Sequence, residues 1–358
     1  MQDVEIAIVG AGAVGASIAL HLAEAHRPPL VIDRGYGAGG TSGATAAWVW
    51  VQTKTPEHYT QFTAASIELY PLLARRLGMD IEYNRTGGLS VALTDEEMVG
   101  LKELAERQRR AGLPVSLLTP AETLRLEPAL NKGLLGAMYC PIDGNVNPFR
   151  LVLALTRAAT RHGAEFWTHT EVRGIESRGD RFLLSTTRGP VRAELLVLAA
   201  GPWSVQLGTL LGLTIPAKTS RGQILVTEPL PPLVRHTLQG LRQQDNGEIL
   251  FGYSHEEVGF DKRTTLDVIR EVAAAGAQLI PALRCAHIVR AFAGIRVLPE
   301  DGFPILGLVP GLPGAYIAVT HSGITLSPLV GDLMAELIVT GRTSISIEGY
   351  QMNRFAVA

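Results

Sequence analysis

"VEIAIVGAGAVGASIALHLAEAHRPPLVID", Val4 to Asp33, divides into an apolar run, a glycine-rich turn, a helix with Val14, Ile18 and Leu22 on one face, and a second apolar run. Continuous apolar runs on either side of a helix mark strands buried on both faces, and strands joined this way lie parallel. The segment is therefore a βαβ unit. Its turn spaces Gly10, Gly12 and Gly15 as G-x-G-x-x-G around Ala13 and Val14, and Asp33 closes the second strand. Gly10 permits the tight turn, Gly12 lets a backbone approach a pyrophosphate, and Gly15 lets the helix lie close to the strand. Free N–H groups and the positive dipole end at the helix start suit phosphates, and Asp33 is placed to accept from ribose hydroxyls. A glycine-rich turn alone also occurs without a ligand; strand, helix, second strand and terminal acid together define a dinucleotide site.

The rest of the chain fits an α/β enzyme. Its 358 residues suit two domains, interleaved or consecutive. A hydrophobic content of 46%, a charged content of 18% and 38 glycines match a compact α/β enzyme rather than a disordered or fibrous chain. The net charge of −2 argues against a nucleic-acid partner. Cys140 and Cys285 lie outside any CxxC, so neither a disulfide framework nor a metal site is expected, and a reducing, cytoplasmic setting fits. No basic segment followed by an apolar one precedes the first strand. Residues 195–217 and 302–331 lack Asp, Glu, Lys and Arg, but Gly and Pro break both, so they read as buried strands, helices and turns rather than membrane spans.

Residues 95–112, "DEEMVGLKELAERQRRAG", predict a helix with one solvated face and its own terminal glycine, and Asn147 and Pro148 open another. From about Pro216 to Arg290, short strand-like pieces such as "GQILVTE" and "GEILFGYS" predict a largely antiparallel sheet inserted into the α/β framework. The chain closes on a strand, a loop and an apolar-faced helix stopped by Gly341. One domain is expected from 1–80, 145–216 and 291–358, and a second from 81–144 and 217–290.

NAD and FAD share the first turn, so residues further along must choose between them. "GGTSGATAAWVWVQTK", Gly39 to Lys54, follows Asp33 and returns toward the phosphates, where bulky side chains would collide with a long ligand. Small residues with spare N–H and hydroxyl donors meet that demand.

With these motifs followed in order by "LLVLAAGPWS", "RGQILVTEP", "FAGIRVLPEDGFPILG" and "THSGITLSP", the chain resembles the FAD-dependent amino-acid oxidase superfamily over nearly its whole length. Within it, the resemblance is to glycine oxidase, the sarcosine oxidase beta subunit, and the flavin subunits of hydroxyproline, opine and cyanide-forming dehydrogenases. It implies an α/β fold, a glutathione-reductase-like Rossmann-type FAD domain with an inserted, mainly antiparallel substrate domain roofing the flavin. Position by position, it assigns Gly10, Gly12, Ala13, Val14, Gly15, Asp33 and Arg34 to the adenosine diphosphate half. Thr41, Ser42, Ala46 and Ala47 follow the path to the flavin, Trp48 stands near its ring, and Val172 meets the adenine. Ala200, Gly201 and Trp203 form a strand-end turn near the cofactor. Ser322, Gly323, Ile324 and Thr325 lie against the pyrimidine edge, where donors at a helix start stabilise the negative charge of reduced flavin. No cysteine lies near this last motif, so the FAD is expected to be non-covalent.

An amino-acid substrate needs a cation to hold its carboxylate while its α-hydrogen faces flavin N5, and the planar fork of arginine suits this. Arg296 matches the family's carboxylate-binding arginine and would also contact the cofactor; its alternative is a salt bridge to Glu300 or Asp301. His321 either orients substrate, touches the flavin edge or is structural. Tyr253 and His255 fall on an expected roof strand whose alternation sends both to one face. Arg221 reads as the anchor of a strand start, and Gln52 and Lys54 either enter the site or face solvent. No tyrosine is expected to pair with Arg296, and "THSGI" lacks a second arginine, which directs the substrate away from glycine toward secondary amines.

The resulting expectation is an FAD-dependent oxidation of the C–N bond of a D-, N-substituted or secondary amino acid, by hydride transfer to N5 and hydrolysis of the imine. No protein nucleophile is needed. Oxidation of a 2-hydroxy acid and an FAD-holding relay or assembly subunit are the alternatives. The implied partners are a small amino-acid-like substrate and either a second copy or electron-transfer subunits.

Overall fold

The structure, a computed structural model, describes residues 1–355. Two eight-stranded sheets carry it. In the first, Gln2–Val9 lies parallel between Gly189–Leu198 and Leu30–Ile32. Glu165–Trp167 extends one side in parallel, Ala315–Val319 the other, and Ile305–Leu308 and the hairpin Val172–Arg178/Arg181–Thr186 add antiparallel strands. The first strand shows why its sequence is apolar throughout. Ile6 and Ile8 enter one core while Ala7 and Val9 enter another, as a sheet covered on both faces requires.

Helix Ala13–Glu24 packs between helices Pro148–Arg161 and Gly323–Thr340. Asn147 starts Pro148–Arg161 as the sequence predicts, its side chain accepting from the Phe149 and Arg150 N–H groups. Gly323–Thr340 is long and apolar enough to cross a membrane by length and composition, yet it is mostly buried against Ala13–Glu24 and Glu57–Arg76 as a core helix.

The second sheet runs Ile288–Pro299, Ala217–Thr227, Ile249–Phe251, Leu241–Gln243, Thr237–Leu238, Gly88–Ala92, Gly136–Cys140, Ser116–Leu118. All pairs are antiparallel except Thr237–Leu238 with Gly88–Ala92. Two expectations change here. The boundary at 290 falls inside Ile288–Pro299, which pairs with Ala217–Thr227 along its length, so 291–299 belong with the second sheet. Residues 216–290 also hold a helix, Leu266–Leu279, whose Gly276 rests on Phe251. Its i, i+3, i+4 pattern (Ile269, Val272, Ala273, Gly276) was hidden among glycine and proline punctuation. A two-stranded ribbon, Trp48–Val49 with Gly144–Asn145, sits where the two sheets meet and carries the first tryptophan.

Candidate active site

One cavity of about 610 Å³ runs from the first glycine turn to the strand Ile288–Pro299. At the turn, the backbone explains the glycines. Gly10 has φ 113° and a Cβ on it would run into the Ala199 carbonyl; a Cβ on Gly15 would run into the Gly10 carbonyl. Gly12 lies open to the cavity, with Ser42 Oγ beside it. Asp33 splints the turn: Oδ2 accepts from Ala11 N at 2.7 Å and Oδ1 from Gly35 N at 2.8 Å. Each oxygen keeps a lone pair for a ribose hydroxyl. Ser42 Oγ accepts from Ala13 N at 3.0 Å, tying the small-residue stretch to the helix start. At the same end, Trp203 is flanked by Arg34 at 4.1 Å, Lys262 at 5.2 Å and Phe260 at 5.6 Å.

Smallness between Gly39 and Ala47 serves two purposes. Gly39, Gly40, Thr41, Ser42, Ala44, Thr45 and Ala46 line the cavity. Elsewhere it serves packing: a Cβ on Gly43 would meet the Ala38 carbonyl, and Gly294 of the overlying strand sits on the Ala44 carbonyl. Thr41 Oγ1 donates to Ile295 O at 2.5 Å, fastening the stretch to that strand.

At the far end the walls are aromatic. Trp48 lies 5.8 Å from Trp50 and 5.9 Å from Tyr253, which meets His255 edge-on at 4.9 Å. Arg296 lies 5.9 Å from the Tyr253 ring and donates through Nη1 to Ser254 O at 2.7 Å. No carboxylate pairs with it among the described residues; Asp301 bonds Arg354 instead. Burial pulls the pKa of this guanidinium below its ordinary value. The C-terminal helix begins beside it. Ser322 takes a left-handed conformation at φ 60° as its N-cap, and Lys54 Nζ donates to Ser322 Oγ at 2.7 Å. Burial lowers the Lys54 pKa to about 8 and that of His321 to about 3, the latter helped by the neighbouring charges of Lys54 and Arg296. His321 is therefore neutral.

Of the residues assigned from the sequence, Gly10, Gly12, Ala13, Val14, Asp33, Arg34, Thr41, Ser42, Ala46, Trp48, Val172, Ala200, Gly201, Trp203, Tyr253, Arg296, His321, Ser322, Gly323, Ile324 and Thr325 line this cavity. Gly15 and Ala47 do not: Gly15 serves helix packing, and Ala47, buried with φ 54°, turns the chain into the ribbon. The strand expected to carry Tyr253 and His255 ends at Phe251; their rings meet edge-on in the loop beyond it, and of the two Tyr253 lines the cavity. A tyrosine does stand beside Arg296, contrary to expectation, because the loop after Phe251 folds back over the cavity and brings Tyr253 with it. Gln52 is buried on Asp143 outside the cavity, whereas Lys54 reaches it. Arg221 anchors the loop by pairing with Glu256 at 2.5 Å. Gln239 and Gly222, which also line the cavity, were unmarked in the sequence. Gly222 had one usable signal, a glycine inside a strand, which often marks close approach of another group.

The chain belongs to the family of FAD-dependent oxidoreductases, whose model (DAO) matches residues 5–337. An opine oxidase subunit of Agrobacterium tumefaciens strain Ach5 is 33% identical over 99% of this chain and 98% of its own. The crystal structure of glycine oxidase from Geobacillus kaustophilus superposes with a TM-score of 0.94 at 32% identity, covering 99% of both chains. That of L-proline dehydrogenase from P. horikoshii gives 0.92 at 27% identity, over 99% of this chain and 98% of that one. The cavity suits FAD: an open glycine at a helix start, an acid at the second strand end, a small-residue path, and a second helix start at the opposite end.

Proposed function

We propose that the protein oxidises the C–N bond of an amino acid with a D-configured α-carbon or a substituted or secondary nitrogen. The observation that carries this is Arg296: a desolvated guanidinium facing the aromatic end of the cavity, with no carboxylate partner among the described residues. Bound flavin supplies the acceptor for the hydrogen and electron pair leaving the α-carbon. The protein's part is positioning and electrostatics. Arg296 holds the substrate carboxylate through its fork. Trp48 and Tyr253 exclude water from the reacting centre. His321, being neutral, adds no charge to repel the substrate nitrogen, and the N–H groups at the start of Gly323–Thr340, which line the cavity, would hold the flavin edge. Water then hydrolyses the imine, for which no protein nucleophile is required. The names of the relatives, glycine oxidase and opine oxidase among them, support C–N oxidation over oxidation of a hydroxy acid.

Anaerobic flavin reduction by a panel of N-alkyl amino acids, D-amino acids and 2-hydroxy acids tests this. Bleaching by amines alone is the expected result; bleaching by hydroxy acids alone overturns it. A second reading, an electron-transferring subunit of a larger complex, is favoured by the subunit designation of the opine oxidase relative. It predicts that electrons reach oxygen slowly after the chain is reduced. The two free cysteines suit a cytoplasmic setting.

A further inference from the structure

Lys54 has no role in the reaction just described, yet its placement is closely built. Its backbone carbonyl accepts from Gln108 Nε2 at 2.6 Å and Thr60 Oγ1 at 2.5 Å, and its N–H donates to Val51 O at 2.8 Å. Gln108 is a fully buried glutamine reaching in from helix Asp95–Arg110. Three separate contacts thus fix the backbone from which the Lys54 side chain reaches the cavity. Of its three N–H donors, one goes to Ser322 Oγ, and the others have no hydrogen-bond partner among the described residues.

The charge around it is unbalanced. The carboxylates lining the cavity are Asp33 and Glu171, both at the adenosine end. The aromatic end therefore holds two cations, Arg296 and Lys54, and no acid. Asp143 lies behind Lys54, close enough for its charge to act on the ammonium but not paired with it; its oxygens accept from Val51 N at 2.7 Å and Gln52 Nε2 at 2.9 Å. Lys54, Arg296 and His321 all line this one cavity, and both cations act on the imidazole. Desolvated cations that no carboxylate bonds directly are costly and favour a ligand that supplies the missing partners.

We propose that Lys54 is a second anion anchor and that the substrate is an amino acid bearing two carboxylates, one held by Arg296 and one by Lys54. This rests on the amine-oxidising reading. The second carboxylate sits either on the nitrogen substituent, as in an N-carboxyalkyl amino acid, or on the side chain, as in D-aspartate. A purely catalytic cation at the flavin edge is the competing role for Lys54, and it makes the opposite forecast: loss of Lys54 would then affect all substrates alike.

Binding of unreactive acids to the FAD-loaded protein separates these, read by tryptophan fluorescence or the flavin spectrum. Glutarate should bind about tenfold or more tightly than butyrate. Lys54→Met should abolish that preference and leave butyrate affinity unchanged, while Lys54→Arg retains it. In the wild type the preference should shrink as pH rises from about 8 to 10 through the Lys54 titration. Of its titratable neighbours, His321 stays neutral and Asp143 ionised across that range, and Tyr59, 5.7 Å from Nζ, is held neutral by burial. If Lys54→Met fails to hold FAD, Lys54→Arg and the wild-type pH series decide. No preference for the diacid, a preference flat in pH, or equal weakening of both acids overturns the proposal. These readouts need no turnover, so they stand even if no amine bleaches the flavin. Flavin reduction by iminodiacetate, D-aspartate, sarcosine and D-alanine then assigns the source of the second carboxylate; a faster reaction of both monoacids sinks the substrate class.

Discussion

Gly222 lies directly beneath the Arg296 guanidinium, so close that a Cβ there would run into Nη2 and Cζ. The glycine lets the charged plane lie flat on its neighbouring strand with the fork turned to the cavity. Gly222→Ala should tilt the fork and lose about one charge-assisted hydrogen bond to the substrate, raising KM about tenfold or more. Affinity for FAD should stay within about twofold. A KM unchanged in steady-state assays would show that Arg296 does not hold the substrate.

The glycines of the first turn divide by function, and two variants distinguish them. Gly12 faces the cavity with only Ser42 Oγ near its would-be Cβ, whereas Gly15 abuts the Gly10 carbonyl. Gly12→Ala should therefore keep the fold and weaken FAD binding, by about tenfold in a titration of the apoprotein. Gly15→Ala should destabilise the fold itself by about 1–3 kcal/mol, visible as a lower Tm of the apoprotein. Equal effects of both on Tm would refute the division.

Legibility in the sequence followed the range of the interactions. The turn from Gly10 to Asp33 is local: strand, glycine spacing and acid lie within one supersecondary unit, so pattern alone located it. Trp48 and Arg296 were reached through motif resemblance. Tyr253 beside Arg296 was misjudged because its position depends on a loop that leaves the strand after Phe251, a tertiary event with no periodic trace. Gln239 comes from a turn between Thr237–Leu238 and Leu241–Gln243, and nothing local tells it from any surface glutamine. The boundary at 290 failed for a related reason, since the partner of Ile288–Pro299 begins at Ala217, far away in sequence.

Trp203 joins the two halves of the cavity wall at the adenosine end. Arg34 comes from the turn after strand Leu30–Ile32 and Lys262 and Phe260 from the loop that carries Tyr253, and all three meet its ring. Each cation over the indole contributes about 0.5–2 kcal/mol. Trp203→Ala should free that loop and raise the FAD dissociation constant about tenfold. Stopped-flow release of flavin, followed by its returning fluorescence, should show the change mainly as a faster off-rate. Unaltered release would mean that the bonds from strand Ala217–Thr227, the Arg221–Glu256 pair and Gln223 N to Ser254 Oγ among them, hold the loop without the Trp203 contact.

Asp143 supplies a pH dependence of known sign. Its side chain is fully buried, and burial raises its pKa from 3.8 to about 7. Between those values the folded chain keeps a proton that the unfolded chain has lost. The stability from this group is therefore complete below about pH 4 and is lost as pH rises to about 7. Asp143→Asn removes the titration while keeping an acceptor for Val51 N. Gln52 can turn its amide to suit, because its Oε1 has no partner in the present arrangement. The Tm of the variant minus that of the wild type should accordingly grow by a few degrees between pH 5 and 8. Thermal melts of both proteins across that range check it, and curves that run parallel would show that Asp143 is already ionised in the folded chain at pH 5.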